Sequence, residues 1–143
     1  MSVKSILAAK GSDVVTIEPT ADLAAATKLL GERRIGAVLV LGPDRHVAGI
    51  LSERDIVRSI GTRGAGALSE PVSASMTRKV VTCVPNDSLP DIMERMTQGK
   101  FRHLPVLEDG KLVGIISIGD VVKQRLEAME REQAALQDYI RTA

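Results

Sequence analysis

The stretch GILSERD at residues Gly49–Asp55 returns later in the chain, in similar form, as GIISIGD at residues Gly114–Asp120. Each stretch is apolar up to a serine and then reads Ser-x-x-Asp. This is the pattern of a helix capping box, in which the hydroxyl caps backbone N–H groups and the acid reaches back. The pattern therefore predicts two places where a strand gives way to a helix, at Ser52 and at Ser117.

The same geometry suits a ligand. A helix N-terminus presents unpaired N–H donors and a partial positive charge, and both favour a phosphate group. Ser52 with Asp55, and Ser117 with Asp120, are therefore either helix starts alone or helix starts that also receive a ligand. The two interpretations are compatible, because a serine that caps a helix without ligand can yield to a phosphate.

The chain is built from two related units. At a shift of 66 positions, VVTIEPTADL at 14–23 matches VVTCVPNDSL at 80–89. After a shorter turn the shift becomes 65, where VAGILSERDIVR at 47–58 matches LVGIISIGDVVK at 112–123. A unit that occurs only twice is not a solenoid, which needs three or more copies. Two halves packed about a pseudo-twofold axis are the natural solution.

Each unit predicts the element order β-α-β-β-α. A short strand, VVTI in the first unit, ends at Pro19, and Asp22 is placed to cap the next helix, as is Ser88 in the second unit. The run IGAVLVL predicts a strand, GPDR a tight turn, and HVAGIL the returning strand of a hairpin. The predicted fold class is α+β, with two such repeats, an N-terminal helix and a long C-terminal helix.

The predicted boundaries follow from the repeat. Residues 1–62 form the first repeat, 63–71 a Gly-rich connection, 72–125 the second repeat, and 126–143 a C-terminal helix extension. The stretch GTRGAGALSEP predicts a mobile surface connection. It is not expected to link independent domains, because each unit alone is too small for a good core.

Composition excludes several classes of function. With 19 basic and 18 acidic residues the formal charge is +1, so no basic field exists to bind a nucleic acid polymer. The near absence of aromatic residues removes stacking platforms for single strands. No signal segment and no apolar run of roughly 18 residues is present, and the single cysteine, Cys83, fits a reducing compartment. These features predict a cytoplasmic protein with no membrane partner.

From residue 3 to about residue 125 the chain resembles a stand-alone pair of cystathionine β-synthase-type (CBS) domains. The resemblance rests on pieces such as IGAVLV, GILSERDIV, MTRKVVTCVP and FRHLPVLEDGKLVGIISIGDVV in their order. It implies two clefts that bind an adenine nucleotide such as AMP, ADP or ATP, a homodimer, and an unidentified partner protein that the module regulates. NAD(H) spanning a cleft and a ligand-free dimerisation scaffold remain the alternatives.

The resemblance also implies which residues hold the nucleotide, each cleft borrowing from both repeats. The acid of each Ser-x-x-Asp stretch accepts both ribose hydroxyls, since a carboxylate is the natural bidentate acceptor for a vicinal diol, and the serine and helix N-terminus hold phosphate. The cleft at Asp120 is expected to contain Ser12, Val14, Val15, Ile35, Gly36, Ala37, Arg102 and Ser117. The cleft at Asp55 is expected to contain Ser52, Arg54, Lys79, Val80, Val81, Phe101, Arg102 and His103.

No catalytic constellation is recognisable in the sequence. It contains no nucleophile motif, no phosphate-binding glycine loop of the usual kinds, and no adjacent base for the serine of either Ser-x-x-Asp stretch. His46, His103 and Cys83 lack the spacing of a metal site, and Cys83 is expected in the core. The sequence thus favours a sensor over an enzyme.

The C-terminal stretch DVVKQRLEAMEREQAALQDYIRTA, from Asp120 onward, contains no Gly or Pro and predicts a long helix. A series of positions in it alternates in steps of four and three, as in the seam between paired helices. The members of this seam, one of them polar, are Val122, Leu126, Met129, Gln133, Leu136 and Ile140. The helix either folds back on its own domain or pairs with another helix, and so long a seam favours a partner helix.

Overall fold

The computed structural model describes residues 1–142. The first half comprises α1 (Val3–Lys10), β1 (Thr16–Ile17), α2 (Leu23–Arg33), β2 (Ala37–Leu41), β3 (Val47–Ser52) and α3 (Glu53–Arg63). The second half comprises α4 (Leu89–Gly99), β4 (His103–Glu108), β5 (Lys111–Ser117) and α5 (Ile118–Thr142). The α+β class is confirmed, and Ala143, the last residue of the expected extension, lies outside the described residues.

Each repeat contains a small sheet built on a hairpin. In the first, β1 pairs in parallel with β2, which pairs antiparallel with β3. In the second, β4 and β5 form the hairpin, and Cys83 makes a single parallel bridge to Val106 where a first strand is expected. The strand predicted over 14–17 is shorter, Thr16–Ile17, because β2 pairs with those two residues and not with the two before them.

The polar residues predicted to start α2 and α4 do so. The Asp22 carboxylate accepts a hydrogen bond from the Ala25 N–H at 2.8 Å, and the Ser88 hydroxyl accepts one from the Asp91 N–H at 3.3 Å. Each bond satisfies a backbone donor that the first turn of a helix leaves unpaired. Both helices then bury one apolar face, α2 in the core of the first repeat and α4 in the core of the second.

Each of these two cores is completed by a segment from the start of the other repeat. Val3 and Ile6 of α1 are buried in the second core, and Val72, at the start of the second repeat, is buried in the first. Backbone hydrogen bonds fix both segments: the Val3 N–H donates to the Asp87 carbonyl at 3.0 Å, and the Val72 N–H to the Ala21 carbonyl at 2.7 Å. Such a reciprocal exchange is what a pseudo-twofold relation between the repeats produces.

The stretch between the repeats is helical and partly buried. Helix α3 continues to Arg63, and a 3-10 helix follows at Ala65–Ser69. Ala67 is fully buried in the first core, and the Glu70 carbonyl accepts a hydrogen bond from the Leu23 N–H at 2.9 Å. Most of this stretch is exposed, including residues 61–66, so it lies at the surface as predicted, and its mobility stays a prediction.

Helix α5 extends beyond the body of the protein. Val121 is buried, Gln124 and Ala128 are half-buried, and every residue from 129 to 142 is exposed. The predicted seam lies on a different face, with Val122 already 47% exposed. Within the described residues, α5 therefore does not fold back on its own domain. None of the helices in residues 1–142 combines the length and the apolar character that crossing a membrane requires.

Candidate functional site

Both Ser-x-x-Asp stretches form the strand-to-helix junctions predicted for them. At the first junction, the Asp55 carboxylate accepts hydrogen bonds from the Ser52 N–H at 3.0 Å and the Ser52 hydroxyl at 3.1 Å, while the Asp55 N–H donates to Ser52 Oγ at 3.2 Å. At the second junction, the Ser117 N–H donates to Asp120 Oδ2 at 2.8 Å, and the Asp120 N–H donates to Ser117 Oγ at 3.2 Å. The capping interpretation is confirmed at both junctions.

A cation from another element sits at the second junction. Lys10, the last residue of α1, places its Nζ 2.6 Å from Asp120 Oδ2 and 3.0 Å from the carbonyl oxygen of Ile115. The Asp120 side chain keeps 23% of its surface exposed. Burial by itself raises the pKa of Asp120, but hydrogen bonds from the Lys10 ammonium and the Ser117 N–H outweigh it and lower that pKa below its ordinary value of 3.8.

A neutral group sits at the first junction. The Thr77 hydroxyl lies 3.4 Å from Asp55 Oδ1 and 3.5 Å from Asp55 Oδ2. Thr77 is anchored beside β3, since it exchanges backbone hydrogen bonds with Ile50 at 2.9 and 3.0 Å. Lys10 precedes the first strand of the first repeat and Thr77 precedes the first strand region of the second, so each junction receives a side chain from the segment that leads into the strands of the other repeat.

Neither Lys10 nor Thr77 is among the residues predicted for the clefts. At the shift of 66, Thr77 aligns with Gly11, so the two side chains come from neighbouring positions of the repeat. Both positions stand just before the segments, 12–15 and 79–81, that the resemblance implicates. The usable signal in the sequence was therefore the whole lead-in of each repeat rather than its last residues.

His103 lies between the two junctions. It stands on β4 opposite the end of β5, and a Cβ atom on Gly36 would lie 3.8 Å from its ring and 3.9 Å from the Glu53 carboxyl carbon. Burial lowers the pKa of His103 below its ordinary 6.5, the Lys10 charge lowers it further, and the charges of Asp120 and Glu53 oppose both. His103, expected at the Asp55 cleft, thus responds to charges at both junctions.

Two equivalent backbone bonds tie the start of a strand to the start of a helix. The Gly36 carbonyl accepts from the Glu53 N–H at 3.0 Å, and the Arg102 carbonyl accepts from the Ile118 N–H at 2.8 Å. Arg102 therefore lies beside the second junction, as expected. Gly36 lies beside the first junction through this bond, although it was expected with Asp120.

Two further predicted residues line surface cavities. Ser12 lines a cavity of about 470 Å³ together with Leu7 and Val84, and Ile35 lines one of about 340 Å³ together with Glu53. Asp55 and Asp120 line neither cavity. The carboxylates are instead covered in part by their capping serines and by Thr77 or Lys10.

The other predicted residues are placed by their exposure. Ala37 is buried, while Val15 packs against the first core and Phe101 against the second. The exposed members are Arg54, Lys79, Val81 and Arg102, and the half-buried ones are Val14 and Val80. Within residues 1–142, no three His, Cys, Asp or Glu side chains are placed to hold a metal ion together. The candidate site therefore presents two carboxylate hydrogen-bond acceptors, Asp55 and Asp120, each at the N-terminus of a helix.

Comparison with known proteins gives consistent results. A family model for the CBS domain matches residues 3–62 and again 71–127. The CBS domain-containing protein CBSX3, mitochondrial, of Arabidopsis thaliana is 34% identical over 119 residues; the match covers 80% of this chain and 58% of that protein, so this chain spans little more than half of its length.

Solved structures of similar proteins share the fold. The CBS-domain containing protein ATU1752 from Agrobacterium tumefaciens matches with a TM-score of 0.85 at 48% identity, over 87% of this chain and 99% of that one. The CBS domain pair of protein MJ0100, solved in complex with 5′-methylthioadenosine and S-adenosyl-L-methionine, matches with a TM-score of 0.77 at 21% identity, over 91% of this chain and 98% of that one.

Proposed function

The chain belongs to the CBS domain family, and on that premise we propose that it is a regulatory module that binds AMP, ADP or ATP between its two repeats and signals to a partner protein. One observation supports the proposal most directly. Each Ser-x-x-Asp carboxylate stands at a helix N-terminus beside a segment supplied by the other repeat, as Asp120 does with Lys10 and Asp55 with Thr77. Binding at such a place changes contacts between the repeats, which a sensor requires.

The chemistry of the junctions matches a nucleotide. A ribose presents two adjacent hydroxyl donors, and an ionised carboxylate accepts from both in a charge-assisted manner. The lowered pKa of Asp120 keeps that carboxylate ionised at neutral pH. The phosphate of the same ligand is favoured at the helix N-terminus, where Ser117 or Ser52 can exchange its capping bond for a bond to phosphate.

The MJ0100 pair supports the ligand class at the level of the fold. Both compounds in that structure contain an adenosine moiety, so a pair of CBS repeats can hold one. We propose AMP or ATP for this chain because its junctions add cations, Lys10 and Arg102, to the two acceptor carboxylates. NAD(H) contains the same adenosine and phosphate groups and is separated from AMP by the experiment below.

We propose a sensor rather than an enzyme. The Ser52 hydroxyl donates to a carboxylate that also caps the helix, and within residues 1–142 no histidine is hydrogen-bonded to Ser52 or Ser117. A serine without a base to take its proton is a weak nucleophile. We place the protein in the cytoplasm, because its one cysteine, Cys83, is a buried free thiol of the kind that reducing compartments maintain.

We further propose that the protein is a homodimer in which the exposed seam of α5 pairs with α5 of a second copy. Lys123 and Glu130 flank this seam on one side, and Arg125 and Glu132 flank it on the other. In an antiparallel pair centred midway along these four residues, each basic side chain faces a glutamate of the second copy on both sides of the seam. The apolar stripe and the flanking charges therefore fit the same partner, a second α5.

Thermal unfolding with and without ligand tests the nucleotide proposal. A ligand that binds the folded state raises the melting temperature by mass action. We expect AMP, ADP or ATP to do so at a concentration where GMP and S-adenosylmethionine do little, and calorimetry then gives the number of sites. Stabilisation by NAD(H) alone would favour a dinucleotide, and no response to any of these would favour a ligand-free scaffold.

A further inference from the structure

The two junctions differ in the group that meets the carboxylate. At Asp120 it is an ammonium ion, with Lys10 Nζ 2.6 Å from Oδ2, whereas at Asp55 it is the Thr77 hydroxyl at 3.4 Å from Oδ1. The four ion pairs within the described residues include Lys10 with Asp120 and none with Asp55. Pseudo-symmetric clefts therefore carry different charges at equivalent places.

With the ribose diol on Asp120, as proposed above, Lys10 and the ribose compete for the same carboxylate. Asp120 Oδ2 already accepts from the Lys10 ammonium and from the Ser117 N–H, so a vicinal diol that needs both carboxylate oxygens meets a competitor at one of them. The Ile115 carbonyl holds the same ammonium at 3.0 Å. A ligand must displace this cation, and breaking the ion pair weakens binding unless the ligand offers the ammonium another anion.

We propose that Lys10 makes the Asp120 cleft selective for adenosine ligands that carry a phosphate group; this inference rests on the nucleotide function proposed above. When the diol takes Asp120, the Lys10 ammonium transfers to the phosphate on the same ribose. A four-carbon stem on a fixed helix end permits that transfer without movement of α1. Adenosine, or a ligand with a positive charge in place of the phosphate, displaces the same cation but has no anionic group that the Lys10 ammonium can bind.

Calorimetry with AMP and adenosine on Lys10→Met tests this inference. All titrations use Asp55→Asn as background, which weakens the other cleft, so that the tighter binding event reports the Asp120 cleft. With Lys10 present we expect AMP to bind at least roughly 10-fold more tightly than adenosine. In the Lys10→Met variant we expect adenosine to bind several-fold more tightly than before and AMP no more tightly, so that the preference largely disappears.

Lys4→Met is the matched control, because Lys4 lies on the exposed surface of the same helix and its replacement removes the same charge away from Asp120. It is expected to leave both affinities as they were. Circular dichroism checks that each variant is folded, and Lys10→Gln, which keeps a polar side chain of similar length, replaces Lys10→Met if that variant is not.

The outcomes separate the two proposals. If AMP and adenosine bind but their ratio is the same with and without Lys10, the role of Lys10 is overturned and the nucleotide function stands. If neither ligand binds to the native protein or to any variant, the nucleotide function fails and the selectivity fails with it. If only the Lys10→Met variant binds adenosine, both proposals are supported.

Discussion

The space beside Gly49 is filled by Thr77: a Cβ atom on Gly49 would lie 2.7 Å from the Thr77 carbonyl oxygen. The equivalent glycine of the second repeat, Gly114, has the same relation to Leu7, whose Cδ2 would lie 2.7 Å from the added atom. In both repeats, a strand glycine lets the lead-in of the other repeat approach the sheet. These two glycines therefore set how closely the exchanged segments dock.

Replacing Gly49 by alanine should destabilise the fold. The added methyl meets a backbone carbonyl, which cannot move away as a side chain can, and we expect the free energy of unfolding to fall by about 1–3 kcal/mol. Gly114→Ala should cost less, since it meets the flexible end of Leu7. Chemical denaturation measures both. Gly31→Ala, in α2 with nothing within 4 Å of the added atom, is the control and should stabilise by roughly 0.5–1 kcal/mol.

The change of Asp55 or Asp120 to asparagine separates capping from binding. Asparagine is an adequate capping residue, so the unliganded Asp55→Asn protein should lose only a few tenths of a kcal/mol. Nucleotide affinity should fall about 10- to 100-fold, because a charge-assisted acceptor worth roughly 1.5–3 kcal/mol is lost. Calorimetry of each single variant counts the sites.

Asp91→Asn is the matched control for these two changes. Asp91 holds the same place after Ser88, at the start of a helix remote from both junctions. Its replacement should leave nucleotide binding intact. If nucleotide titrations of the Asp55→Asn/Asp120→Asn double variant match those of the native protein, the two acids only cap helices and do not bind the ligand.

Removal of α5 beyond Gln124 should weaken the homodimer, because the cut removes most of the exposed seam. Leu136→Lys should have the same effect, whereas Ala134→Lys, on the opposite face of α5, should not. Light scattering measures the assembly. The antiparallel arrangement predicts that Lys123→Glu weakens association and that Lys123→Glu with Glu130→Lys restores it, and a dimer indifferent to all of these changes would place the interface elsewhere.

His103 should titrate below pH 6.5, since burial and the Lys10 charge lower its pKa. A histidine whose pKa is lower in the folded than in the unfolded state stabilises the fold above about pH 6.5, and that contribution is lost as the pH falls through the folded value. Lys10→Met removes the cation that lowers this pKa most and should move the titration upward. NMR of the His103 ring protons measures this titration. An identical titration curve in both proteins would show that the Lys10 charge does not affect the pKa of His103.

The Cys83 thiol should resist alkylation while the protein is folded. Burial, with a smaller contribution from the Asp87 charge, raises the pKa of Cys83 to about 12. The reactive thiolate is therefore scarce even at mildly alkaline pH. Reaction with a thiol reagent should be slow in buffer and fast in denaturant, so that its rate reports opening of the second core. Rapid reaction of the native protein would contradict this burial.

The elements of the fold were predictable where their signals are local. Asp22 and Ser88 cap the helices expected of them, and the hairpin returns in each repeat, because capping and turn formation depend on residues close in the sequence. The two Ser-x-x-Asp junctions belong to the same class. For this reason both the helix starts and their acids are identifiable from the sequence alone.

The contents of the junctions were not predictable in the same way. Lys10 reaches Asp120 across 110 positions of the sequence, and it does so because α1 docks on the second repeat. Neither periodicity nor pairwise alignment of the repeats carries information on that docking. The burial of Ala67 was missed for a related reason: the glycines before it indicate freedom of the backbone, and they carry no information on how the alanine that follows them packs.

The exchange of leading segments also sets the order in which the two cores can fold during translation. Val3 bonds to Asp87, which leaves the ribosome about 80 residues later, or roughly 4–16 s at translation rates of 5–20 residues per second. Val72, in contrast, docks on Ala21, which has already been made. The first core can thus form while the second is still being translated. Val3 and Ile6 remain exposed to solvent until α4 has been synthesised. We expect the speed of translation through the second repeat to govern how long the nascent chain exposes this apolar helix to other chains.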